Sequence, residues 1–319
     1  MLGVLLVAGV IEDKLIEFLT RWRPGVLVDP FSLLSAHTSD SDLLLASKRL
    51  LLIWLLQYGS YFLLILPLGW WRGRGGSAAY GITRAGRSWQ FLVLAGVVTA
   101  CLSEWPVLIH SLVDAVHPLG AMAPWRQAFF DMSWQRWQFW MFAGVLSYAA
   151  VPVLEELLFR GYYQRRLAES WGDGPAILGT SCLFVFAHRQ YLIPNLYNVT
   201  MVGSLFCLAL GLGIVFAYTR SLLPGIIAHA IINIPMTVPW QIALLAVFAI
   251  GTIVAFRSGT TALREVWREP KIRACLFLAV VCALYVLASQ RMPLLQTLAM
   301  GLLGLSIALQ VGEKRRKGA

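Results

Sequence analysis

The stretch VLSYAAVPVLEELLFRG, residues 145–161, places two adjacent acids at the end of a long apolar run. These acids are Glu155 and Glu156, and Leu157, Leu158, Phe159 and Arg160 follow them directly. A carboxylate at membrane depth costs about 3 kcal/mol or more, so such residues usually face the protein interior and mark a functional site. The stretch therefore predicts a buried functional carboxylate on a membrane helix.

Composition indicates a polytopic membrane protein. The chain has 319 residues, of which 58% are hydrophobic and 13% charged, with a mean hydropathy of +0.69, whereas soluble domains carry about 25% charged residues. We predict an all-α transmembrane helix bundle of about 8–10 spans, since runs of roughly 17–25 apolar residues are long enough to cross a bilayer. Nine runs qualify: residues 48–71, 89–112, 137–159, 176–194, 199–219, 222–239, 240–257, 274–290 and 294–311.

Basic residues fall mainly in every second loop between these spans. One side of the membrane receives Arg72, Arg74, Arg84, Arg87, Arg160, Arg165, Arg166, Arg220, Arg257, Arg264, Arg268, Lys271, Arg273 and Lys314–Lys317. Short cytoplasmic loops retain Lys and Arg, so we place this side, and the C-terminus, in the cytoplasm. The compact architecture favours a bacterial inner membrane. The net charge of +10 then reflects topology and contact with anionic lipids, and predicts no nucleic-acid binding.

The predicted domain organisation has three parts. Residues 1–47 form an N-terminal interfacial or extracytoplasmic segment, because the apolar run at its start is interrupted after about ten residues, too few to cross a bilayer. Residues 48–257 form the transmembrane catalytic bundle, with a motif core at 140–240, and residues 258–319 form accessory helices and a basic tail. The five cysteines lie in apolar spans without paired spacing, which predicts neither a disulfide framework nor a zinc knuckle.

Four ionisable or polar residues lie at comparable depths in their predicted helices. Glu155 lies within about two helical turns of the cytoplasmic end of its span, and His229 lies at a similar depth. Asn233 is one turn from His229 on the same helix face, and His188 is somewhat deeper. We therefore expect these residues to meet in the cytoplasmic half of the membrane.

Two other ionisable residues within the predicted spans, Glu104 and His110, lie toward the opposite surface and are left out of the predicted site. Gly211 and Gly213 lie in the fifth span, where we expect them to permit close helix packing.

The motifs resemble those of the CAAX protease and bacteriocin-processing family of intramembrane glutamic endopeptidases, which is related to the type II CAAX prenyl endopeptidases. The resemblance rests on Glu155, Glu156, two residues, then Phe159, Arg160 and Gly161; on Phe184 with His188 four positions on; and on His229 with Asn233 four positions on. It covers roughly residues 140–240. Each motif alone is weak, but their order and spacing on apolar helices make a specific combination.

The resemblance implies a glutamate-dependent mechanism without a cofactor. Glu155 would act as general base on a water held and polarised by His188, while His229 and Asn233 would donate hydrogen bonds to the oxyanion at the scissile carbonyl. Physical chemistry supports these roles, because a carboxylate in apolar surroundings is a stronger base than one in water. Glu156 and Arg160, four residues apart, would form a supporting ion pair at the helix end.

The resemblance also implies a membrane protein or peptide as substrate. Eukaryotic relatives cleave a prenylated C-terminal tetrapeptide after the lipidated cysteine, and bacterial relatives process peptide precursors, signal peptides or C-terminal sorting tails. The residues flanking the motifs contain no prenyl-binding pattern, so the sequence does not choose between these substrates.

Two alternatives stay open from sequence. Glu155, His188 and His229 have the ligand types of a catalytic zinc centre with an open position for water. The absence of a paired His-x-x-x-His motif counts against this zinc metalloprotease. The other alternative is a non-catalytic membrane scaffold or immunity protein, in which His229 and Asn233 act as polar contacts between helices.

Overall fold

The described part of the chain is helical. A computed structural model describes residues 11, 14–22, 39–71, 76–119, 146–188, 191, 195–234 and 238–266. The α-helices, labelled in chain order, are α1 (Asp40–Trp71), α2 (Trp89–Ser103), α3 (Trp105–Val116), α4 (Val151–Glu156), α5 (Arg165–Trp171), α6 (Asp173–Ala187), α7 (Leu196–Thr219), α8 (Leu223–Asn233) and α9 (Val238–Val266). No strand occurs in these ranges, so the predicted all-α fold class is confirmed.

Three helical segments of the described chain are long and apolar enough to cross a membrane. They are Leu44–Pro67, Trp89–Val116 and Leu196–Thr219. The first and third match the predicted spans 48–71 and 199–219. The second matches the prediction at 89–112 and continues to Val116, with a break at Glu104 between α2 and α3.

Two predicted spans are wrong at their ends. The span at 176–194 is a 15-residue helix that stops at Ala187, because His188 has a non-helical backbone (φ −88°, ψ 57°). The span at 222–239 is interrupted, since α8 ends at Asn233 and α9 begins at Val238. The predictions for 274–290 and 294–311, most of 1–47 and the first part of 137–159 lie outside the described residues.

Packing divides the described chain into two units. One unit contains α1, α4 and Asn233, together with Leu157 and Leu158. The other contains α2, α3, α5, α6, α7, α8 up to Ile232, and α9, together with the helical turns from Phe159 to Gln164. Each unit is described separately below.

Helix α7 is the centre of the second unit. It packs against α2, α3, α6 and α9. Ala100, Leu208, Leu212 and Ala228 form one buried apolar cluster along this centre. Small residues allow the close approach: a Cβ built on Gly211 would meet Ser103 Oγ at less than van der Waals separation. The expected role of Gly211 in helix packing is thus confirmed.

Three helix ends of the second unit lie at one side of the bundle. The Leu222 N–H, just beyond α7, donates to the Gly81 carbonyl (2.9 Å) in the loop before α2. The Arg220 guanidinium donates twice to the Asp173 carboxylate at the start of α6, at 2.7 and 3.1 Å. The starts of α2 and α6 therefore lie beside the end of α7.

Helix α7 also offers a matched test of close packing. A Cβ on Gly213 would lie 2.9 Å from Ile177 Cγ2 and 3.0 Å from Gln164 Oε1, whereas a Cβ on Gly203 would meet nothing within 4 Å. We expect Gly213→Ala to lower the free energy of unfolding by about 1–3 kcal/mol, because overpacking forces neighbours from their places. Gly203→Ala should cause no loss. Thermal unfolding of both variants in detergent micelles tests this, and equal stability would contradict it.

Candidate active site

Glu155 lies near the end of α4, and its carboxylate is held by a tyrosine from another helix. The side chain is 8% exposed, and Tyr58 Oη on α1 donates a hydrogen bond to Glu155 Oε1 over 2.6 Å. Tyr58 itself is 7% exposed. A short hydrogen bond from a hydroxyl to a carboxylate is among the strong ones in proteins, so it orients the carboxylate of Glu155.

The helix around Glu155 is not regular. α4 has six residues and lies between π-helical turns at Leu146–Ala150 and Leu157–Gln164. Pro152 near the start of α4 has no N–H to donate, so the backbone ladder must rearrange there. π-Helical turns are rare in proteins overall, but those that occur often lie at functional sites.

The π-helical turns also change one expectation. The sequence placed Glu156 and Arg160 one α-helical turn apart, but the backbone between them follows the wider π-helical spacing. Both side chains are fully buried, at 0% and 1% exposure, so the pair lies in the protein interior. Their ion pair stays a prediction.

Arg160 and Gln164 connect the π-helical turns to α7. Arg160 Nη2 donates to the Ala209 carbonyl (3.1 Å), and Gln164 Nε2 donates to the Gly213 carbonyl (2.8 Å). The two donors and the two acceptors are each four residues apart. Gly213 leaves room for the amide of Gln164, because a Cβ at this position would lie 3.0 Å from Gln164 Oε1. These two bonds hold the helix that follows Glu156 against the centre of the second unit.

The ring of Phe184 on α6 contacts the three basic side chains of the predicted site. The guanidinium carbon of Arg160 lies 4.8 Å from the ring centroid, and His188 and His229 have ring centroids 4.7 and 5.8 Å away. Phe159 contacts the same ring edge-on at 5.2 Å. Phe184 has no solvent exposure. The structure therefore brings His188, His229 and Arg160 together around one buried aromatic ring.

The imidazole of His188 is oriented by its own helix end. Its Nδ1 lies 2.8 Å from the Phe184 carbonyl, which can only accept, so Nδ1 carries the proton. In the neutral ring Nε2 is then a hydrogen-bond acceptor. Because α6 stops at Ala187, the ring sits beyond the helical ladder and stacks against Tyr191 at 6.4 Å.

His229 and Asn233 lie on α8, one helical turn apart. The helix runs from Leu223 to Asn233, so their four-residue spacing places both on one face. His229 is 3% exposed and Asn233 is partly buried at the last residue of the helix. Asn233 is grouped with the first unit and His229 with the second.

Residues excluded from the predicted site have other surroundings. His110 on α3 lies 2.7 Å from Thr200 Oγ1 and stacks edge-on against Tyr197 at 4.5 Å, both on α7. Glu104 is the residue between α2 and α3. Across the described ranges, no three His, Cys, Asp or Glu side chains are grouped as metal ligands.

Sequence reasoning missed Tyr58 and Gln164. Tyr58 lies within the predicted span 48–71 and could have been noticed as a hydroxyl in the middle of an apolar helix. Nothing in the sequence pairs it with a glutamate 97 positions away. Gln164 follows Arg160 by four residues, but its acceptor in α7 depends on tertiary packing.

Comparison with known protein families matches one segment of the chain to a family of endopeptidases. Residues 136–235 match the family described as Rce1-like, type II CAAX prenyl endopeptidase. This segment is similar to an Rce1-like domain, which confirms the resemblance seen in the motifs and supports an intramembrane protease of the CAAX type. All six predicted site residues lie in the matched segment. Neither a curated protein nor a solved structure matches the chain.

The buried contacts of Arg160 predict that it cannot be exchanged for lysine. An ammonium group lacks the planar face that stacks on Phe184 and the fork that reaches the Ala209 carbonyl. We expect Arg160→Lys to lower the free energy of unfolding by about 1–3 kcal/mol, the usual cost of impairing a buried polar contact.

Arg21→Lys is the matched control, because the side chain of Arg21 is exposed and forms an i,i+4 ion pair with Glu17. Such pairs contribute about 0–1 kcal/mol, so this substitution should have little effect. Thermal unfolding of both variants measures the difference, and an equal effect at the two positions would contradict the assigned role of Arg160.

Proposed function

We propose that the protein is an intramembrane endopeptidase in which Glu155 activates the water that attacks the scissile peptide bond. The observation that carries the proposal is a buried carboxylate, oriented by the Tyr58 hydroxyl, inside the segment that matches the protease family. Carboxylates are among the side chains that act as general bases in enzymes. General base catalysis contributes about 10²–10⁴ in rate.

His188 is the proposed partner of Glu155 in holding the water. Its Nδ1 donates to the Phe184 carbonyl, so the neutral ring offers Nε2 as an acceptor for a proton of the water. The helix end fixes the ring plane, which orients this acceptor before substrate binds. His188 thereby positions the nucleophile and Glu155 removes its proton.

His229 and Asn233 are the proposed oxyanion donors. They follow each other by one turn on α8, so an imidazole N–H and an amide N–H can point to one carbonyl oxygen. Preorganised donors of this kind contribute about 3 kcal/mol each to the transition state. Contact of His229 with the buried Phe184 ring at 5.8 Å restricts its orientation. Glu156 and Arg160 support the site and do not react.

The proposed substrate is a membrane-associated or lipid-anchored protein or peptide cleaved near its C-terminus. The matched family is described as prenyl endopeptidases, which favours a substrate tail carrying a lipidated cysteine. We further propose that the basic loops and the C-terminus face the cytoplasm of a bacterial inner membrane. No cofactor is required in this mechanism.

The first test is cleavage of peptides with prenylated or hydrophobic tails by the purified chain in lipid. Glu155→Gln keeps the size and polarity of the side chain but removes the base, so we expect cleavage to fall by at least about 100-fold. Wild-type cleavage should survive a strong chelator.

Three other results would change the proposed role of Glu155. Loss of wild-type cleavage on chelation, with recovery on adding zinc, would move Glu155, His188 and His229 from a proton-transfer site to a zinc centre. Undiminished cleavage by Glu155→Gln would exclude Glu155 as the base. A cellular phenotype that survives Glu155→Gln would favour a scaffold.

Tyr58 provides a sharper test of how the carboxylate is oriented. Tyr58→Phe removes the hydroxyl that donates to Glu155 Oε1 and keeps the ring. We expect kcat to fall about tenfold with KM nearly unchanged, since a hydrogen bond to a charged group contributes about 1.5 kcal/mol or more. Tyr218→Phe on α7 is the control, since Tyr218 contacts Phe91 and Arg87 through its ring, which the substitution keeps. Equal kcat in the two variants, or a change confined to KM, would contradict the orienting role.

A further inference from the structure

A cationic and aromatic surface lies at the start of α2. It consists of two exposed arginines, Arg84 and Arg87, and three aromatic residues, Trp89, Phe91 and Tyr218. Neither arginine has a carboxylate partner among the described residues. We call this set the arginine–aromatic surface. None of its members belongs to the proposed catalytic machinery.

The guanidinium groups of this surface are held by aromatic rings. Arg84 lies over the Trp89 ring at 5.8 Å. Arg87 lies over Phe91 at 5.2 Å and over Tyr218 at 6.0 Å, so it contacts rings from both α2 and α7. Ring contact uses the flat face of a guanidinium and leaves its N–H edges available. Such edges bind phosphate oxygens in pairs.

The backbone fixes the two arginines relative to each other. The Arg87 N–H donates to the Arg84 carbonyl (2.9 Å) across a tight turn whose central residues, Ala85 and Gly86, have positive φ of 49° and 76°. The loop is joined to the end of α7 by the bond from Leu222 to Gly81. The surface is therefore formed by two segments far apart in sequence, and its cations are preorganised.

The location of the arginine–aromatic surface favours a lipid headgroup as the phosphate that binds there. Trp89 is 54% exposed and is the first residue of the 28-residue apolar segment Trp89–Val116, which is long enough to cross a membrane. Tryptophan and tyrosine are enriched at the headgroup level of membranes. Uncompensated arginines at that level meet lipid phosphates, and each contributes about a fivefold increase in affinity for anionic lipid.

We propose that the arginine–aromatic surface binds the headgroup of an anionic phospholipid. The phosphate accepts hydrogen bonds from Arg84 and Arg87, and the exposed face of Trp89 lies against the upper part of an acyl chain. This binding anchors the start of α2 and the end of α7 to one lipid.

The test uses the full chain purified in a neutral detergent, with bound lipid counted by native mass spectrometry. The protein is titrated with phosphatidylglycerol or with phosphatidylcholine of the same acyl chains. Arg84→Gln combined with Arg87→Gln should weaken phosphatidylglycerol binding about 25-fold and leave phosphatidylcholine unchanged. The control combines Arg257→Gln with Arg264→Gln, which removes the same charge from two exposed positions of α9.

Several outcomes would overturn the proposal. Equal loss in the two double variants would mean that net charge alone governs binding. Unchanged binding in the Arg84 and Arg87 variant would remove the site, and displacement of the lipid by millimolar inorganic phosphate would assign it to a free anion. If that variant unfolds, Arg84→Lys with Arg87→Lys keeps the charge but lacks the planar fork. It should bind several-fold more weakly, and wild-type affinity would refute the guanidinium geometry.

Discussion

The buried guanidinium of Arg160 is the interaction on which the second unit depends. A charge inside an apolar bundle is costly, and hydrogen bonds to its donors and an aromatic ring beside it lower that cost. The Ala209 carbonyl takes one donor and the Phe184 ring covers the face. The same ring contacts His188 and His229. The ring that contacts the buried guanidinium of Arg160 therefore also positions the imidazoles of His188 and His229.

Close helix approach makes this arrangement possible. Gln164 reaches the Gly213 carbonyl because the glycine has no side chain in its path, and Ser103 occupies the space beside Gly211. Between apolar helices, packing and a few hydrogen bonds must replace the hydrophobic driving force that soluble proteins use. Small residues at the centre of α7 therefore matter more to this unit than large apolar ones on its outer faces.

Glu155 is held differently, because its Oε1 accepts a hydrogen bond from Tyr58 of α1 in the first unit. A carboxylate that serves as a base must be oriented without being neutralised, and a hydroxyl donor does this while leaving the negative charge in place. The irregular helix on both sides of α4 accompanies this role. Pro152 and the π-helical turns give the segment a backbone that a continuous α-helix would not provide.

The residue pattern by itself determined the all-α class, three of the membrane-length segments and the resemblance of the motifs to a CAAX-type protease domain. These follow from hydrophobic run length and from the spacing of Glu155, His188, His229 and Asn233, which are local properties of the chain. Tertiary structure alone decided that Tyr58 meets Glu155, that Phe184 gathers the basic groups, and that Arg87 lies beside Tyr218. It also decided that the helix before His188 stops at Ala187. Apolar periodicity reports that a residue is buried, but not which distant helix it faces, because partners are chosen by packing between helices.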